Sequence, residues 1–246
     1  MSRAMRSGGL EAALEDDDAH ARQRRAKRSS KSINRALRNN GLSIVLTALF
    51  LIFLVAQSVT GWRFYNQEQQ AHAQQTTSYL RYLTTGHFLE SVGENWESEF
   101  LQMAMFAFLT VFLYQKGSAE SNDPDKRDPK RRPTRDSPWP VRYGGWVETI
   151  YNHSLSIALF VLFLMSFLIH LFGGAKEFQQ DQIEHGQAAP TLIEYLKTSR
   201  FWFESFQNWQ SEFLAVAVLV GASVYLRERG SPESKPVAEP HYETGA

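Results

Sequence analysis

The chain of 246 residues contains no cysteine, so disulfides, thiolate metal ligands and cysteine nucleophiles are all excluded. It also lacks a glycine-rich phosphate loop and the His-Glu-x-x-His and Gly-x-Ser-x-Gly motifs of hydrolases. The segments outside its apolar runs are too short or too polar to form a separate catalytic domain. We therefore expect no enzymatic activity, no cofactor and no resident metal.

The chain also has no excess of positive or negative charge, because 26 lysines and arginines balance 26 aspartates and glutamates. The charges avoid two long runs: residues 41–61 carry none, and residues 154–172 carry none apart from His170. Because about 20 apolar residues in a helix cross a bilayer core of about 30 Å, these runs predict spans at 41–61 and 154–173.

Two further apolar runs are shorter, at residues 100–114 and 213–226. A buried helix in a soluble domain is one interpretation of runs of this length. Helices that begin near Trp96 and Trp209 would instead reach spanning length, with each tryptophan at the membrane interface. We predict two more spans on this basis, at 96–115 and 209–227.

Lysine and arginine alternate between the segments that separate these four spans. Ten precede Gly41, eight lie between Gln115 and His153, and three follow Leu226, whereas the two intervening segments carry two and three. Because positive charge is retained on the cytoplasmic side, both termini and the middle loop are predicted to be cytoplasmic. The N-terminal tail has no aromatic residues to stack on bases, so nucleic acid is not an expected partner.

An internal repeat organises the chain. The motif Asn-Trp-x-Ser-Glu-Phe occurs at residues 95–100 and again at 208–213, an offset of 113. The same offset relates further identical pairs: Leu42 and Leu155, Ser43 and Ser156, Ile44 and Ile157, Gly61 and Gly174, His72 and His185, Tyr82 and Tyr195. We therefore predict an all-α transmembrane four-helix protein built from two tandem parallel-repeat helical hairpins.

Each hairpin has an outer loop with a short predicted interfacial helix, at residues 78–83 and 191–196, and Thr191 with Glu194 predicts a capping box. The predicted units are a disordered basic tail (1–38), a first membrane repeat (39–116), a disordered cytoplasmic linker (117–140), a second membrane repeat (141–229) and a disordered tail (230–246). The tails and linker are too polar to offset the entropy of ordering.

The repeated motif also supplies a candidate polar site. Asn95, Ser98 and Glu99 share one helix face, and the second copy repeats this stripe with Asn208, Ser211 and Glu212. We expect Glu99 and Glu212 to approach each other beneath the outer surface. Together with His72 and His185 they would suit a cation, or they would share a proton.

A simpler interpretation is that the motif starts a helix, since asparagine is a preferred N-cap and acidic residues favour helix N-termini. His170 and Gln57 occupy equivalent positions near the outer ends of two spans, where hydrogen bonding between helices is the expected role. His87 has no histidine counterpart, because Arg200 stands at the offset position.

The chain resembles an uncharacterised family of bacterial integral membrane proteins over about residues 36–230. The resemblance rests on Asn40-Gly41-Leu42-Ser43-Ile44, Gly61-Trp62, His87-Phe88-Leu89-Glu90, Asn95-Trp96-Glu97-Ser98-Glu99-Phe100 and Gln115-Lys116-Gly117-Ser118. The second copy departs from it, since Phe201-Trp202-Phe203-Glu204 places its glutamate one position late. The resemblance implies four spans in the bacterial cytoplasmic (inner) membrane and implies no activity.

Two functions follow from these predictions. The leading one is a structural or interaction role in the bacterial membrane, with the lipid bilayer and a homo-oligomer or membrane protein as partners. The alternative is a subunit of an oligomeric small transporter or channel that uses Glu99 and Glu212 to handle a cation or proton. Four spans leave little room for a pathway within one chain, so this alternative requires oligomers.

Overall fold

A computed structural model describes residues 4–123 and 133–245, so the middle of the predicted linker lies outside the described residues. The described chain is helical and contains no strand. Its helices are α1 (Ala4–Ala71), α2 (Tyr79–Tyr82), α3 (Gly86–Leu109), α4 (Trp139–Tyr143), α5 (Gly145–Asn152), α6 (Ser154–Glu184), α7 (Leu192–Leu196) and α8 (Ser199–Ala222). The all-α prediction is confirmed. The chain divides into two compact units, Met1–Phe64 and Tyr65–Ala246.

The first unit consists of α1 up to Phe64. This helix breaks at Asn40, where φ is −126° and ψ is 17°. The break lies one residue before the predicted first span. From Arg38 to Ala71 the helix is long and apolar enough to cross a membrane.

The second unit contains the other helix of this kind, α6, over Ser154–Glu184. Its apolar side chains are largely uncovered: Leu164, Met165 and Phe172 are 55%, 55% and 57% exposed. Soluble proteins rarely leave so much contiguous apolar surface open to water. Together, α1 and α6 indicate a membrane protein.

Helices α3 and α8 begin and end at positions that are related by the offset of 113 residues seen in the sequence. Helices α3 and α8 contain 24 residues each, and their first residues are 113 positions apart. Each is capped by a threonine, Thr85 or Thr198, whose hydroxyl accepts an N–H from the third helical residue at 3.3 Å. In the second outer loop, Thr191 and Glu194 form the predicted capping box at the start of α7.

The proposed helix starts at Asn95 and Asn208 are wrong. Both residues lie inside helices, nine positions after the first residue of α3 and of α8. Their amides donate back to carbonyls one turn earlier, on Ser91 at 2.6 Å and Glu204 at 3.1 Å. The caps lie at Thr85 and Thr198 because a threonine hydroxyl satisfies an N-terminal amide there.

Helices α3 and α6 are antiparallel and in very close contact. A Cβ built on Gly86 would lie 2.5 Å from the amide nitrogen of Glu177, and one on Gly173 would lie 2.5 Å from that of Glu90. One built on Gly93 would strike the amide nitrogen of His170. Glycines at such a crossing let two backbones approach as closely as transmembrane helices do.

The described residues after Gly230 form turns that pack on the segment after α3. The amide of Gly117 donates to Thr244 Oγ1 at 2.9 Å. The buried Lys235 ammonium donates to the carbonyls of Pro240, His241 and Glu243 at 3.3, 3.1 and 2.8 Å. These contacts offset part of the entropy cost of ordering a polar tail.

Candidate cation-binding site

Three glutamates of α3 lie on one side of the helix. Glu90, Glu94 and Glu97 are four and seven residues apart, a spacing that aligns them along one face. Gly93 holds this part of α3 against the backbone of His170 on α6. Glu90 and Glu97 are consequently only 7% and 0% exposed. Carboxylates enclosed in this way require hydrogen-bond donors or a cation.

Glu97 connects α3 to two other helices. Its Oε2 lies 2.8 Å from Nδ1 of His170 on α6, and its Oε1 accepts the indole N–H of Trp209 on α8 at 2.9 Å. With Nδ1 of His170 as the donor to Oε2, both oxygens of Glu97 accept a hydrogen bond. In the neutral imidazole of this tautomer the other nitrogen, Nε2, carries the lone pair. The hydrogen bond between helices predicted for His170 is confirmed.

That second nitrogen of His170 is the unusual feature of the site. His170 is fully buried, and within the described part of the chain its Nε2 has no hydrogen-bond partner. Oε2 of Glu204 on α8 lies 3.7 Å from it. One ligand atom from each of Glu90, His170 and Glu204 lies within 4.8 Å of the other two. Two carboxylates at this separation repel unless positive charge, from a protonated imidazole or a bound cation, lies between them.

Arg200 and Tyr195 hold the two carboxylates in place. The guanidinium Nε of Arg200 donates to Oε1 of Glu204 at 2.9 Å, and its Nη2 lies 3.6 Å from Oε1 of Glu90. The hydroxyl of Tyr195 lies 3.3 Å from Oε1 of Glu90 and 3.2 Å from Oε2 of Glu204. Burial and these two carboxylates raise the pKa of Tyr195, so the phenol keeps its proton and remains a donor.

The cluster opens into a polar cavity of about 350 Å³. Its wall is formed by His87, Glu90, Ser91, Glu94, Arg200, Glu204, Gln207 and Asn208. Three glutamates therefore share this wall with one guanidinium. Burial raises the pKa of Glu90 and of Glu94 to about 7, and a cation in the cavity would favour the ionised form of both side chains.

The residues predicted as a polar site lie outside this cluster. Glu99 is exposed and Glu212 is half-buried; they lie near enough for their charges to interact. Neither glutamate belongs to the group of converging ligand atoms found in the described chain. Ser98 and Ser211 donate to the carbonyls of the asparagines three residues earlier, Asn95 and Asn208, at 2.9 and 2.8 Å.

The two outer histidines stay apart from the cluster as well. His72 and His185 lie in the turns that follow α1 and α6, and both are exposed. Nδ1 of His185 is 2.8 Å from the carbonyl oxygen of Asp181 in its own helix. Neither imidazole contributes to the converging ligand group of the described residues.

The charged and imidazole side chains of the cluster lie at positions where the two repeats differ. At the offset of 113, Glu90 corresponds to Phe203, Glu97 to Gln210, and His170 to Gln57. In the same way Arg200 corresponds to His87, and Glu204 to Ser91. The uncharged residues Tyr195, Phe201 and Trp209 have identical counterparts, which are Tyr82, Phe88 and Trp96. The sequence signal for the site was therefore the set of charged and imidazole side chains at positions where the two repeats differ.

Comparison with known proteins gives a family and no activity. No curated protein and no solved structure matches the chain significantly. The resemblance to an uncharacterised family is confirmed. A family model matches residues 33–246, and the chain therefore belongs to the family described as a domain of unknown function, DUF6766.

Proposed function

We propose that the chain is a four-span membrane protein that binds a cation at the outer end of its helices. Besides α1 and α6, helices α3 and α8 are each about 36 Å long at 1.5 Å per residue, which is enough to cross a bilayer. Their charged residues end at Glu99 and Glu212, and the apolar sequence that follows continues past the ends of the helices to Tyr114 and Leu226. The shared offset of their bounds supports two tandem hairpins.

The distribution of basic residues supports the orientation of these hairpins, with both termini and the linker in the bacterial cytoplasm. In this orientation α3 and α8 begin outside and return inward. His170 lies near the outer end of the uncharged run of α6, and Glu90 and Glu204 lie near the starts of α3 and α8. The polar cluster would thus lie at the outer boundary of the bilayer, where the charged residues contact protein or water rather than lipid.

Single cysteines give a direct test of this topology, because the natural chain has none. We expect Thr76→Cys and Ala189→Cys, at equivalent exposed positions of the two outer loops, to react with an impermeant maleimide on intact cells. Thr134→Cys, in the linker, should react only after lysis. A protein in which only α1 and α6 cross would instead place residues 76 and 134 on one side and residue 189 on the other.

The cation-binding proposal rests on the buried Nε2 of His170, which faces Glu204 and Glu90 and has no hydrogen-bond partner among the described residues. A fully enclosed polar atom costs about 1–3 kcal/mol when it has no partner. A bound cation would remove this cost and the repulsion between the two carboxylates. In this proposal the cation is bound by Glu90 on α3, His170 on α6 and Glu204 on α8. The pair Glu99 and Glu212 is not part of the binding site.

Thermal unfolding of the full chain in mild detergent tests this binding. A cation at about 100 times its Kd stabilises the folded state by about 2.7 kcal/mol. We expect at least one of Mg²⁺, Ca²⁺, Mn²⁺ and Co²⁺ to raise the unfolding midpoint accordingly. The double variant Glu90→Gln with Glu204→Gln should lose the response.

The matched control is Glu99→Gln with Glu212→Gln, which removes the same number of charges from the same two helices. This control should respond to the cation as the natural chain does. If the control loses the response and the Glu90 and Glu204 variant keeps it, the site has been assigned to the wrong glutamates. If no cation shifts the midpoint of the natural chain, the cation-binding proposal fails.

A further inference from the structure

We propose that the cation is a divalent transition metal, bound by Nε2 of His170 and by one carboxylate oxygen each from Glu90 and Glu204. This inference rests on the cation-binding function proposed above and gives it a chemical class. Mg²⁺ and Ca²⁺ prefer sites built from six or more oxygens, including water. Imidazole nitrogen combined with carboxylate oxygen suits Zn²⁺, Fe²⁺, Mn²⁺ or Co²⁺ better.

The hydrogen bonding around His170 is that of a metal-binding histidine. A ligating histidine donates its second N–H to a carboxylate or carbonyl, which sets the tautomer and orients the ring. Glu97 fills this role at 2.8 Å, and the indole N–H of Trp209 in turn holds Glu97. The imidazole also stacks on Phe201, with ring centroids 4.7 Å apart and an interplanar angle of 27°. The lone pair of Nε2 is therefore aimed at the carboxylates by contacts from both sides.

The distances also match. Metal–ligand bonds of about 2.0–2.2 Å in a tetrahedral site separate neighbouring ligand atoms by about 3.4 Å. Nε2 of His170 lies 3.7 Å from Oε2 of Glu204, and the full set of three ligand atoms lies within 4.8 Å. The longest separation must shorten by at most about 1.4 Å to complete the site. Glutamate side chains have rotatable bonds that can supply a movement of this size.

Arg200 does not compete for the same oxygen of Glu204. Its Nε donates to Oε1, whereas Oε2 faces His170. The guanidinium thus stays in place and balances the charge of a site with two carboxylates. The hydroxyl of Tyr195, which lies between the two carboxylates, is the group that must turn aside.

The site is also open on one side. Three protein ligands that leave one position free are typical of metal centres that exchange a water or a substrate, whereas structural zinc sites are closed by four. Here Glu90 and Glu204 form part of the wall of the polar cavity, so the free position faces that cavity. The duplicated half offers no equivalent, since Phe203, Gln57 and Ser91 replace the three ligands. We therefore expect one metal per chain.

Metal binding to the full chain, purified without a histidine tag, tests the inference. Co²⁺ is expected to bind at one equivalent and to develop visible absorption bands. Bound Cu²⁺ is expected to show nitrogen coupling from one imidazole by pulsed EPR, a reading that requires no variant. His170→Gln should abolish that coupling and weaken Co²⁺ binding at least tenfold, whereas His185→Gln, which changes an exposed histidine at the end of the same helix, should change neither.

Each outcome decides a separate point. Binding of Mg²⁺ or Ca²⁺ as tightly as Co²⁺, with no nitrogen coupling, overturns the transition-metal assignment and leaves the cation-binding function intact. Failure of every cation to bind overturns both. Should His170→Gln fail to fold, Glu204→Gln, which keeps the side-chain volume, must still weaken Co²⁺ binding at least tenfold. Nitrogen coupling that persists in a folded His170→Gln protein also contradicts the assignment.

Discussion

Gly93→Ala is expected to destabilise the protein by about 1–3 kcal/mol, because it forces an extra carbon into a backbone contact. The new Cβ would strike the amide nitrogen of His170, and it would lie 2.8 Å from that residue's Cα and 3.0 Å from the carbonyl carbon of Ile169. These are backbone atoms of a continuous helix, so no side-chain rotation relieves the clash. Helix α3 must move away from α6 instead.

We expect the site to lose affinity for the cation when the contact between α3 and α6 at Gly93 is disrupted. Glu90 and Glu97 reach His170 only because the two backbones are close at Gly93. A separation of α3 from α6 would lengthen the hydrogen bond between Glu97 and His170 and move Glu90 away from the imidazole. We therefore expect Gly93→Ala to lower both the unfolding midpoint and the affinity for the bound cation.

Gly221→Ala is the matched control for this substitution. Gly221 lies near the end of α8, and a Cβ there would meet nothing within 4 Å. Alanine in a helix is favoured over glycine by up to about 1 kcal/mol, so this variant should be as stable as the natural chain or slightly more stable. Thermal unfolding in detergent, followed by circular dichroism at 222 nm, compares the two. Equal midpoints for both variants would show that α3 and α6 do not meet closely at Gly93.

Much of the architecture could be predicted from the sequence because it depends on local patterns. Charge-free runs mark α1 and α6, and the capping box at Thr191 and Glu194 marks α7. The offset of 113 anticipated that α3 and α8 have equivalent bounds. These features depend only on hydrophobicity, capping chemistry and internal similarity, all of which can be read from the amino-acid sequence.

The starts of α3 and α8 could not be predicted in the same way. Residues 86–95 are polar and contain two glycines, a composition that does not favour a helix by itself. They are helical because Thr85 caps the first turn and because the glycines pack on α6. Tertiary packing outweighed intrinsic propensity here, so the tryptophan that was expected to begin the helix lies inside it.

The site escaped prediction for a related reason. The repeated motif favoured Glu99 and Glu212 because they are identical in the two copies. Residues that are identical in both copies indicate the fold that the copies share, and they do not identify a site that is present once. Glu97, at the variable position of the same motif, is the residue that is buried and hydrogen-bonded to His170. Its role depends on an antiparallel contact between helices some 70 residues apart in sequence, which no local pattern encodes.

Glu97→Gln is expected to be the most informative single change in the cluster. The glutamine amide is nearly the same size as the carboxylate but has one acceptor oxygen and one donor nitrogen. It can accept from either His170 or Trp209, and it must turn an N–H₂ group toward the other N–H donor. A buried donor left without an acceptor costs about 1–3 kcal/mol, which should appear as a lower unfolding midpoint.

The same change should also weaken metal binding. Loss of the carboxylate releases the tautomer and the ring orientation of His170, and removal of the hydrogen-bond partner of a metal-binding histidine typically reduces metal affinity by about 10–100-fold. Gln210→Ala, at the exposed equivalent position in α8, is the control and should leave both stability and Co²⁺ affinity unchanged. A Glu97→Gln protein with normal stability and normal Co²⁺ affinity would show that Glu97 does not orient His170. A loss of stability alone would limit Glu97 to joining the three helices, since an orienting role requires the affinity to fall as well.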